Sequence, residues 1–103
     1  RLDTADRVAA AINGFKTKLA ANGRDPAKVT LAHVVLWPVA FEAQAAVSGG
    51  RRTFTGTTAD MAADARTLAA SGISHVNLSF HADDVPGIIK SMERFAAEVM
   101  AKV

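Results

Sequence analysis

Residues 54–80 read FTGTTADMAADARTLAASGISHVNLSF. Phe54-Thr55-Gly56-Thr57 opens a helix, Thr58 to Ser71 fills it, Gly72 stops it, and Ser74 to Phe80 follows as a strand. Thr57 with Asp60 three residues later has the pattern of a capping box, with Asp where Glu is more usual. Met61, Ala65, Leu68 and Ala69 fall on one helical face. After Gly72 the period shortens to two: Val76, Leu78 and Phe80 take one side of a strand, His75, Asn77 and Ser79 the other. We expect the apolar side to pack on helices and the polar side to look into something wetter, a barrel lumen or a site.

Upstream, Val29 to Trp37 reads as another strand, so strand, helix and strand make the βαβ unit of a parallel sheet. Its middle is nearly all apolar, which predicts burial on both faces, and Pro38 ends it. A helix precedes it, from Asp3 or Thr4 to Asn22, with Val8, Ile12, Phe15 and Leu19 as its stripe. Asn22-Gly23 stops that helix, and Arg24-Asp25-Pro26 turns the chain. Residues 39–56 are irregular, with a short helix expected over Phe41 to Val47 and a stop at Ser48-Gly49-Gly50. A connection of this length is usually functional or mobile. The last helix starts at Asp83 or Asp84 with Pro86 in its first turn. Val85, Ile88, Ile89, Met92, Phe95, Ala96 and Val99 make its stripe.

The order helix, strand, loop, helix, strand, helix fits one domain of 103 residues. Two strands cannot sustain a parallel sheet alone. The chain is therefore expected to complete a larger fold, or to recruit a second copy through its exposed strand edges. With no cysteine, there is no disulfide, thiolate metal site or cysteine nucleophile, in keeping with a cytoplasmic setting. No apolar run approaches the roughly 20 residues of a membrane span. Residues 1–52 carry 8 Lys/Arg and 4 Asp/Glu, a balance of +4; residues 53–103 carry 4 and 6, a balance of −2. No basic stretch is dense enough, or rich enough in aromatics, for a nucleic-acid face.

Three places carry a likeness to a known family: Gly23-Arg24-Asp25-Pro26; Phe54-Thr55-Gly56-Thr57 with Met61-Ala62; and Gly72-Ile73-Ser74-His75-Val76-Asn77-Leu78 together with Met92-Glu93-Arg94-Phe95-Ala96 and Glu98-Val99. In this order and spacing they resemble the C-terminal portion of the luciferase-like monooxygenases, in particular their deazaflavin-dependent oxidoreductase branch. The resemblance implies α/β architecture as a partial (β/α)8 TIM barrel: the last two βα units and a preceding helix. A whole barrel takes about 250 residues. It further implies a parent enzyme that uses a deazaflavin coenzyme (F-420 type) or FMN, and moves a hydride between the reduced cofactor and an organic substrate or performs a monooxygenation. The main cofactor contacts would come from earlier strands, and this segment alone would be inactive. The alternative is a stand-alone α/β module that homodimerises and has no redox activity.

In such a barrel the ends of the last two strands form the substrate rim. Trp37 either stacks on a flat substrate or closes the core. His81 either donates to a substrate oxygen or sits in a surface loop. Arg51 and Arg52 either clamp a phosphate or carboxylate or remain solvated charges. Gly56-Thr57 could hold an anion at the helix start, though self-capping explains it equally. Asp83-Asp84 is better explained as a cap than as a carboxylate pair. His33, His75 and His81 match no metal motif, and no metal is expected.

Overall fold

A computed structural model describes all residues, 1–103. The elements are α1 (Ala5–Ala21), β1 (Leu31–Pro38), α2 (Thr58–Ala70), β2 (Ile73–Ser79) and α3 (Val85–Glu98), with 3-10 turns at Pro26–Lys28 and Met100–Lys102. The helix starts are set locally. Thr4, Thr57 and Asp84 each accept from a backbone N–H in the first turn, and Thr57 with Asp60 forms the complete reciprocal box.

β1 and β2 pair in parallel, with Ala32 opposite His75 and Val34 opposite Asn77. These two strands are the whole sheet, joined through α2 as a βαβ unit. Leu31, Val35 and Ile73 are buried with Val8, Phe54, Met61, Leu68, Phe95 and Val99 in a single core between sheet and helices. Val76, Leu78 and Phe80 pack against that core, while His75, Asn77 and Ser79 are exposed, the alternation expected of β2.

β1 departs from expectation. It is not buried on both faces: Leu31, His33 and Val35 are buried, but Ala32 is exposed, Val34 is 53% exposed and Leu36 86%. An apolar run shows that a strand can be covered twice, and here only one layer of helices exists to cover it. The bare face of the sheet therefore runs from Val34 and Leu36 on β1 to His75, Asn77 and Ser79 on β2.

Two further expectations fail. Phe41 to Val47 forms no helix, because its backbone donors are spent elsewhere. The Gln44 N–H donates to Thr55 Oγ1 at 3.1 Å and that of Ala46 to the Gly50 carbonyl at 2.9 Å. The stripe of α3 is only partly used: Phe95 and Val99 are buried, while Val85, Ile89 and Met92 are exposed. Phe15 on α1 is likewise exposed. The chain is elongated, 48 × 27 × 22 Å, with a radius of gyration of 14.8 Å. A compact domain of this length has about 13 Å.

Candidate functional site

The ends of β1 and β2 and the long connection from Val39 to Thr57 lie on one side of the sheet's hydrogen-bonded pair: the amide of Val39 donates to the Ser79 carbonyl at 2.9 Å. The connection has little regular structure but a dense polar frame. Ala40 bridges to Thr55, and Ala45 to Arg51. Asp64 of α2 is the frame's centre. Its carboxylate accepts from both terminal nitrogens of Arg51, at 2.7 and 2.8 Å, and from the amide of Phe54 at 2.8 Å. Arg51 also donates to the carbonyls of Arg52 and Thr55. A charge-assisted pair with forked geometry in a largely buried setting is strong and directional.

This pairing holds Phe54 in the left-handed region, φ 59°, a conformation that costs a bulky residue about 1–3 kcal/mol. The reward is position: Phe54 is 2% exposed and its ring meets that of Phe95 at 6.2 Å. Two residues on, Gly56 has φ 111°, and a Cβ there would stand 2.8 Å from an Asp60 carboxylate oxygen. Only glycine fits that approach. The Asp60 carboxyl is held below its ordinary range by the hydrogen bonds of Thr57.

A second clasp joins the start of the chain to the same connection. The Asp3 carboxylate accepts from the hydroxyl and the amide of Ser48, and its carbonyl from the amide of Thr53 at 3.1 Å. The Ser48 hydrogen bond, the largest influence, lowers the Asp3 pKa.

The four rim residues expected from sequence separate into distinct roles. Trp37 is half-buried, and its indole N–H donates to the Thr53 carbonyl at 2.8 Å. The Arg52 guanidinium lies over its ring, 5.1 Å from the centroid. Arg51 is turned away from this pair into Asp64. His81 is exposed and hydrogen-bonds to none of the other three. Trp37 and Arg52 are thus brought together; Arg51 and His81 are not part of that contact.

The histidines do not converge, and no group of three possible metal ligands occurs. His33 lies on the covered face of β1, 9% exposed, with an Nε2 that has no hydrogen-bond partner. Burial pushes its pKa below the ordinary 6.5. His75 Nδ1 shares a hydrogen bond with the Ser74 hydroxyl at 2.9 Å.

Sequence reasoning missed Asp64 and Asp3. For Asp64 a signal existed: it stands three residues after Met61 and four before Leu68, on the buried stripe of α2. A carboxylate at such a position requires a cation. For Asp3 its cap-like position concealed the role, since Thr4 is the cap.

The largest cavity shares Phe54 with this frame but none of its charged groups. It is an apolar groove of about 650 Å³ between α2, β2 and α3, lined by residues such as Leu68, Val76, Leu78, Met92 and Phe95. A smaller one of about 270 Å³ lies beside β1, with His33, Val34, Leu36 and Trp37 on its wall.

The fold defines a mixed α/β protein built on one parallel βαβ unit. Comparison with models of known families, with curated proteins and with solved structures found no match. No helix is long and apolar enough to cross a membrane.

Proposed function

We propose that this chain is the closing portion of a luciferase-like (β/α)8 barrel, within a cytosolic flavin- or deazaflavin-dependent oxidoreductase that acts on a small organic substrate. The observation that carries the reading is the bare face of the parallel sheet. Its helices cover one side only, and the other presents Val34 and Leu36 beside His75, Asn77 and Ser79. In a barrel the inner face of each strand is covered by the other strands, and functional side chains come from the strand ends at the catalytic face.

In such an enzyme the cofactor supplies hydride or oxygen chemistry, and the protein positions the reactants. The residues present do not form a flavin or deazaflavin pocket by themselves. The bare face is open, and the Trp37 ring at the end of β1 is covered on one side by Arg52. Cofactor contacts in this reading belong to other strands, and the 103-residue chain alone is expected to be inactive. The coding sequence upstream of Arg1 tests the barrel. About six further βα units are expected; a start codon directly before Arg1 would sink the idea. The extended protein should then bind FMN or the deazaflavin coenzyme saturably, read by visible absorbance.

The surface area favours a second reading, a homodimerising module without redox activity. The chain exposes 6366 Å², whereas a compact monomer of 10.8 kDa exposes about 5,500 Å². The excess matches the roughly 800 Å² that one partner buries in an ordinary interface. Pairing would use the free edges of β1 and β2. Light scattering on the purified chain decides: a well-folded monomer defeats the module.

A further inference from the structure

Arg51 and Arg52 are adjacent in sequence and opposite in use. Arg51 is consumed by Asp64 and by backbone carbonyls. Arg52 enters neither of the chain's two ion pairs, Arg51–Asp64 and Arg94–Glu98. Two arginines lie over aromatic rings, Arg52 over Trp37 and Arg94 over Phe41, and Arg94 already has its carboxylate in Glu98. Arg52 is therefore the one of the two with its charge uncompensated.

It is also fixed in place. The ring beneath it is pinned by the hydrogen bond from Trp37 to Thr53. Its own amide donates to the Gln44 carbonyl at 2.8 Å, and its carbonyl accepts from the Thr55 hydroxyl at 2.8 Å. Its guanidinium donates to no group of the chain, and a guanidinium edge matches the two oxygens of a carboxylate or phosphate. Orienting it beforehand removes much of the ordering cost of binding.

We propose that Arg52, lying over Trp37 and free of a carboxylate, anchors the anionic group, phosphate or carboxylate, of a small-molecule substrate at the end of β1. The assignment rests on reading the strand ends as a substrate rim. It gives Arg51 a different job, that of holding the connection rigid beneath its neighbour.

Trp37 is the only tryptophan, so its fluorescence reports directly on this contact. The whole chain is titrated with sodium phosphate and, separately, with sodium succinate, each against sodium chloride at equal ionic strength. A saturable change is expected with at least one of the two anions and none with chloride. The anion that saturates at the lower concentration assigns the group as phosphoryl or carboxylate. Arg52→Gln should weaken binding by roughly tenfold or more, and Arg52→Lys, which keeps the charge but loses the fork, by a smaller factor. Arg24→Gln, on the exposed turn after α1, should leave the curve unchanged. No saturable change with either anion overturns the proposal, as does an Arg52→Gln curve equal to that of the unsubstituted chain. An Arg52→Lys midpoint that does not move overturns the fork geometry. The titration contains no flavin or deazaflavin, so it succeeds or fails independently of the barrel reading, which the upstream sequence tests.

Discussion

The connection from Val39 to Thr57 and the helix α3 invert the usual relation between regular structure and order. The connection has no helix or long strand, yet Thr53, Phe54 and Thr55 are almost wholly buried and its polar groups find partners in α2, β2 and the start of the chain. α3 is a regular helix with the strongest apolar stripe in the molecule, yet only its C-terminal half is seated. Phe95 packs edge-on against Phe80 at 5.5 Å and Arg94 lies over Phe41, while the stripe's N-terminal half faces solvent. Internal hydrogen bonds make a helix, but they do not attach it. Attachment comes from side chains that find a surface, and the connection has more of these.

Substitutions should expose this difference. Phe95→Ala removes the ring shared by Phe54 and Phe80, and should cost about 3–5 kcal/mol in urea unfolding. Ile89→Ala on the unseated half should cost under about 0.5 kcal/mol. Similar costs at both positions would mean that α3 is seated along its length. Asp64→Ala should cost about 3 kcal/mol, because it leaves the buried Phe54 amide without an acceptor and removes the carboxylate from a half-buried guanidinium. A loss below about 1 kcal/mol would show that the polar frame contributes little to order in the connection.

Gly56→Ala comes next, at about 1–3 kcal/mol, from a strained φ and a Cβ pressed toward Asp60. An unchanged melting midpoint would mean that the turn before α2 is softer than the frame around it. The smallest effect concerns His33, in the wall of the sheet. Its folded pKa lies below 6.5, so below that pH the unfolded chain takes up a proton that the folded chain refuses. Stability should decline as pH falls from 6.5 toward the folded value and then level off. His33→Phe should remove that decline, as measured by thermal melts between about pH 7 and 5. The loss from protonating Asp3 and Asp60 lies lower, below their ordinary value of 3.8, since both are depressed by hydrogen bonds in the fold.

What was legible in the sequence follows the range of the physics. Thr4, Thr57 with Asp60, and Asp84 cap helices through neighbours three residues away, and such signals survive without tertiary context. The alternation in β2 was legible because its polar members are distinct. In β1 both faces are apolar, so one-sided and two-sided burial look alike. Residues 41–47 carry helix-favouring Ala, Glu and Gln, and hydrogen bonds to Gly50 and Thr55 overrode that preference. In the connection, composition could not divide Arg51 from Arg52. That division depends on Asp64, which the fold brings in from the next helix.

The clasp between Asp3 and Ser48 has a consequence for the order of events during synthesis. Asp3 is made before its partners at Ser48 and Thr53, which lie 45 and 50 positions later. Until they emerge, the first turn of α1 is held only by its local Thr4 cap. Contacts of such separation close slowly. Asp3 is thus fastened only after the whole connection has been made, long after the residues of α1 beside it.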